Sequence, residues 1–226
     1  MIRAVVFDLW NTLVHSPGGN PFQRVGTLLT PGQREKFYDW QRDGMTRFYP
    51  DSEAFIGAWE HELQLSGEQK DGMISIFKLS EGDARLYPEV MESLVRTRAL
   101  GRVAMLSNTQ SFALGLLDGL GLSAQFRVKG ISAELGFLKP EPGAFEAMQK
   151  RLGLFPGELA MVGDSWSDDV EGALSAGWTA LWVNRNGKPR PDHAPEAELV
   201  ELADLSLVPE VIERLQAGAG CSTCLG

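Results

Sequence analysis

At 226 residues, 43% of them hydrophobic, the chain is long enough to bury a sizeable core and to carry an insertion beside it. A formal net charge of -9 argues against a nucleic-acid partner, and no apolar run approaches the span of a membrane helix. The first strand lacks the basic start and small-residue cleavage site of a secretory leader, so a cytoplasmic protein is expected.

The apolar run Ala4 to Phe7 reads as a strand buried on both faces, stopped by Asp8 and a polar loop holding Asn11 and Thr12. A strand-end Asp by itself serves equally well as a turn cap or as chemistry. Ser16 to Pro21 is a Gly/Pro/Asn loop. From about Phe22 to Leu86 the apolar residues recur at helical spacing, with Phe37, Trp40 and Met45, then Phe55, Trp59 and Leu63, then Met73 and Phe77. This stretch holds no convincing strand and is expected to be a helical insertion (residues 16–86) covering one edge of a sheet. Its aromatic residues read as core rather than as a substrate box.

Beyond it, Pro88 opens a helix with Val90, Leu94 and Val95. Arg102 to Leu106 is a second apolar strand, running into Ser107, Asn108 and Thr109. A helix through Phe112 and Leu117, an extended piece near residues 126–132, and a loop with Lys139 and Pro140 follow. Leu159 to Gly163 repeats the strand pattern and ends at Asp164, with Asp168 and Asp169 opening the next helix. Thr179 to Val183 is the last clear strand, and Val208 to Leu215 a closing helix. Alternating strands and helices give an α/β fold with a parallel sheet and right-handed crossovers, built from residues 1–15 and 87–217. Residues 218–226 read as a flexible tail whose Cys221 and Cys224 are two exposed thiols, since zinc would need further ligands.

Ligands of open parallel sheets bind outside the carboxyl ends of the strands, which is where Asp8, Ser107, Asn108 and Asp164 fall. Asp8-Leu9-Trp10-Asn11-Thr12-Leu13 resembles the first motif of the haloacid dehalogenase-like hydrolase superfamily, and Ser107, Lys139 and Asp164 follow as its second, third and fourth. The resemblance implies a Rossmann-like core with a small helical cap. It also implies that Asp8 is the nucleophile, that Ser107 or Asn108 holds a phosphoryl oxygen with Thr12 nearby, and that Lys139 neutralises phosphate and orients Asp8. Asp8, the backbone carbonyl of Trp10, Asp164 and Asp169 would hold Mg2+, whose preference for hard oxygen ligands suits paired carboxylates. Asp168 is left as helix N-terminal charge.

Trp10 departs from the pattern, because most phosphatases of the superfamily have a second Asp there that protonates the leaving oxygen. Such acid-base help is worth roughly a hundred- to ten-thousand-fold, and indole cannot give it. His15 and Glu134 are the first candidates for a replacement. The leading reading is a magnesium-dependent phosphatase of a small phosphorylated metabolite, working through an aspartyl-phosphate as a monomer or homodimer. The alternative is a metal-independent 2-haloacid dehalogenase, whose relatives also carry an aromatic residue at the position of Trp10. In that case Arg42 of the insertion would bind the substrate carboxylate. Against it stand Asp164, where dehalogenases have a small polar residue, and Trp166 and Phe145, where they have Asn and Tyr. A third reading is a binding or regulatory protein that keeps the fold with weak catalysis.

Overall fold

The computed structural model describes residues 1–192 and 199–218; Cys221 and Cys224 lie outside them. The chain runs through β1 (Ala4–Phe7), β2 (Val14–His15), β3 (Arg85–Leu86), β4 (Arg102–Ser107), β5 (Val128–Ile131), β6 (Leu159–Gly163), β7 (Thr179–Val183) and β8 (Leu199–Leu202). Six of these form one parallel sheet in the order β5-β4-β1-β6-β7-β8, with helices in the connections from β1 through to β7. No helix among the described residues is long and apolar enough to cross a membrane.

The central strands β1 and β6 are apolar and buried throughout because both faces of the sheet are covered. Val5 and Phe7 of β1 join Met105, Val162 and Leu181 in one core, and Ala4 and Val6 join Leu106, Met161 and Trp182 in the core on the other face. That two-residue alternation assigns each side chain to its layer. Strand β8 was not legible as a strand: Leu199-Val200-Glu201-Leu202 is a short edge with only its two leucines buried. At the end of the stretch from Phe22 to Leu86, where no strand was expected, β3 pairs antiparallel with β2, each only two residues long.

Between β2 and β3 lie the helices Pro21–Leu28, Pro31–Arg34, Phe37–Thr46, Ser52–Leu63 and Gly67–Asp83. Side-chain caps start four of them: Asn20, Thr30, Asp51 and Ser66 each accept from a first-turn N–H. Phe22, Trp40, Phe55 and Phe77 fill their common core, with Trp40 and Phe55 stacked at 4.8 Å between centroids. Gly44 permits that packing, since a Cβ there would lie 2.4 Å from the Phe55 ring. Phe112, from the segment after β4, packs against the same aromatic cluster. Tyr49 and Ser111 exchange two hydrogen bonds, at 2.8 and 2.6 Å, so the helices are seated on the sheet's carboxyl edge.

Candidate functional site

The register explains how the polar residues converge. Phe7 pairs with both Met105 and Val162, so Asp8 comes level with Leu106 and Gly163, and Ser107 and Asp164 each lie one residue further out. The Asp8 N–H donates to the Val162 carbonyl at 2.9 Å, extending the ladder by one step. Asn11 then takes a left-handed conformation (φ 59°), which Asn tolerates better than most residues, and the chain turns back into β2.

Lys139 sits at the centre. Its Nζ donates to Asp8 Oδ1 at 2.7 Å and to Asp169 Oδ1 at 2.5 Å, and all three groups are buried. Asn108 sets the Lys139 backbone in place, accepting from its N–H at 2.8 Å and donating to its carbonyl at 2.9 Å. Burial alone would lower the Lys139 ammonium, but the Asp169 and Asp8 carboxylates more than offset it and hold it above its usual value. Asp169 is pushed up by burial and by Asp8, with Lys139 opposing. It also accepts from the Ser165 N–H at 3.0 Å, within a π-helical turn over Trp166–Glu171. The glycine at 163 is required there, since a Cβ would lie 2.2 Å from the Asp169 carboxyl.

Asp164 completes the carboxylates. Ligand oxygens of Asp8, Asp164 and Asp169 lie within 4.8 Å of one another. Burial, followed by the Asp8 charge, pushes Asp164 up to about 7, relieved in part by Lys188 and Lys139. Three carboxyl groups against one close ammonium leave negative charge that a divalent cation would neutralise, and an all-oxygen donor set fits Mg2+. These residues could therefore hold the metal.

Asp8, Trp10, Asn108, Lys139, Asp164 and Asp169 all line one cavity of about 580 Å³, walled on its other side by Asn20, Phe22, Gln41 and Met45 of the helical segment. The other expected site residues are not on its wall. Thr12 and Ser107 are fully buried, and their hydroxyls find no partner among the described residues. Arg42 is ion-paired with Glu141. His15 stacks on Tyr87 at 4.8 Å, and Glu134 is exposed in the turn after β5. Asp168 does line the cavity. Sequence reasoning missed Lys188 and Gln110, both on the wall. Lys188 follows β7 at the ligand-binding edge, a topological signal that was available, and Asn184 clamps its backbone with two bonds of 2.8 Å.

The model of the haloacid dehalogenase-like hydrolase family matches residues 2–177. A phosphoserine phosphatase of Thermus thermophilus is 37% identical over 125 residues, covering 54% of this chain and 50% of that enzyme, so the match spans only half the relative's length. An (S)-2-haloacid dehalogenase of Pseudomonas sp. is 31% identical over 85% of this chain and 90% of its own. Among solved structures, a phosphatase of the same family from Thermococcus onnurineus superposes with a TM-score of 0.65 at 26% identity, covering 93% of this chain and 98% of that one. With the family model matched over residues 2–177, the chain belongs to the haloacid dehalogenase-like hydrolases.

Proposed function

We propose that this hydrolase is a magnesium-dependent phosphatase of small phosphorylated metabolites, with Asp8 as nucleophile. The observation that carries the reading is the Asp8, Asp164 and Asp169 cluster around Lys139. A haloacid dehalogenase needs no third carboxyl beside its nucleophile, whereas Asp164 is held here at the expense of a strongly raised pKa. Bound magnesium, held by Asp8, Asp164, Asp169 and the Trp10 carbonyl, would supply charge neutralisation to the transferring phosphoryl group.

The chain's own residues do the rest. Lys139 grips Asp8 Oδ1 and so fixes the attacking carboxylate. An Asp8 oxygen forms a bond to phosphorus as the bond to the leaving oxygen breaks; water then attacks phosphorus, releasing phosphate and restoring Asp8. The helices of residues 21–83 act as the cap, excluding bulk water from the acyl phosphate. A second reading, haloacid hydrolysis, is favoured by the aromatic Trp10 and by the 31% identical dehalogenase. Arg42 weighs against it, because its guanidinium is paired with Glu141 instead of lining the cavity.

Trp10 gives the test. Its indole N–H is committed to Thr109 Oγ1 at 3.0 Å and carries no transferable proton. Aryl and acyl phosphates, whose leaving oxygens need little protonation, are expected to react about a hundredfold or more faster than alkyl phosphates. Rapid-quench experiments should trap phosphorylated Asp8 with the aryl substrate. Equal rates for both classes with no phosphoenzyme would count against this assignment.

A further inference from the structure

Neither residue expected to hold the phosphoryl oxygens from the end of β4 has a free side-chain amide or hydroxyl on the cavity wall in the expected way: one is buried away from it and the other is bonded to the backbone. Ser107 is fully buried and off the cavity wall, and Asn108 gives its amide oxygen and an amide proton to the Lys139 backbone. Two residues on, Gln110 lines the cavity although it is only 5% exposed. Its amide is oriented by a relay that starts at Trp10. An indole N–H can only donate, so Thr109 Oγ1 is the acceptor of the 3.0 Å bond from Trp10 Nε1. The Thr109 hydroxyl proton then goes to Gln110 Oε1, 3.2 Å away. Thr109 itself is pinned through its backbone, its N–H donating to Ser132 Oγ at 2.9 Å and its carbonyl accepting from that hydroxyl at 3.2 Å. With the Gln110 oxygen engaged, Nε2 is the end left to donate, and no described residue accepts its protons.

We propose that Gln110 is a substrate-binding residue whose Nε2 donates to an anionic phosphoryl oxygen in the cavity, and that Trp10 and Thr109 are the positioning residues that aim it. The aromatic residue at position 10 thus has a function of its own: it trades a proton donor to the leaving group for a fixed donor to the phosphoryl group. This inference rests on the phosphatase reading for the identity of the ligand, but it can be measured without turnover.

The test measures the affinity of inorganic phosphate by calorimetry in the presence of magnesium, beside kcat/KM for p-nitrophenyl phosphate, in variants whose folding is checked by thermal denaturation. Gln110→Ala, and Gln110→Met as the variant that keeps the side-chain shape, should each weaken phosphate binding about tenfold or more, as expected for a lost bond to a charged acceptor. Gln110→Glu, which points an anion at an anion, should weaken it further. Trp10→Phe keeps the backbone carbonyl but not the indole N–H, and with Thr109→Val should lose several-fold in the Gln110 background and almost nothing once Gln110 is Ala. Phosphate affinities within twofold of the parent in folded Gln110→Met overturn the proposal, as do Trp10→Phe and Gln110→Ala losses that multiply. If the parent binds phosphate yet hydrolyses no phosphoester, the phosphatase reading falls and the phosphate affinities still decide the role of Gln110. A parent that does not bind phosphate at all overturns both.

Discussion

Asp8→Asn is expected to remove about a thousandfold or more of the turnover and leave the fold intact. The amide oxygen can still accept from Lys139 Nζ, so the 2.7 Å contact that centres the site has a replacement. The substitution also removes the charge that helps push up Asp164 and Asp169, so the packed site carries less repulsion than before. What an amide cannot do is attack phosphorus, and a lost nucleophile typically removes most of an enzyme's rate enhancement. Steady-state rates on an aryl phosphate, beside thermal denaturation, check both halves. An active Asp8→Asn enzyme would place the chemistry elsewhere.

Lys139→Met is expected to be the most destabilising single change in the site. It leaves Asp8 and Asp169 buried without their ammonium, and breaking a buried pair in this way costs about 3 to 5 kcal/mol. For a chain of this size that is a fall in Tm of roughly 6 to 20 °C. The loss should depend on pH. Asp169 already has its carboxyl pushed up by burial and Asp8, and removing Lys139 takes away what opposes that. A carboxyl with a folded pKa above its unfolded one binds its proton more tightly when folded. Stability therefore falls as pH rises between the two values, and it is the neutral and alkaline side that suffers most. Denaturation of the Lys139→Met protein should accordingly show a smaller deficit at pH 5 than at pH 8. A deficit independent of pH would mean that lost packing, not charge, dominates.

Much of this arrangement is legible in the residue order. Ala4 to Phe7, Arg102 to Leu106 and Leu159 to Gly163 are apolar on both faces and stop at polar residues, which suffices to place Asp8, Asn108 and Asp164 at one edge. Where side chains point at the ends of those strands is a different matter. Ser107 and Thr12 look like phosphate ligands in sequence yet are packed inward, because a one-residue change of register decides which layer a strand-end hydroxyl enters. Arg42 sits one residue from Gln41 on the same helix, but it is Gln41 that reaches the cavity while Arg42 meets Glu141. That pairing joins residues about a hundred positions apart, and no local pattern announces it. Gln110 was missed for the same reason: its role follows from Trp10 and Thr109 meeting across two strands. The short edge strand β8 carries too little periodicity to stand out from a loop.

The central claim, phosphoester hydrolysis through Asp8 with magnesium, is tested most directly by one comparison of the purified protein. Release of p-nitrophenol from p-nitrophenyl phosphate and of chloride from 2-chloropropionate should be measured with magnesium and again with a chelator. Phosphate ester hydrolysis that disappears with the chelator and returns with magnesium, with no halide release, is the predicted result. Chloride release that the chelator leaves unchanged, with the phosphate ester untouched, would contradict it.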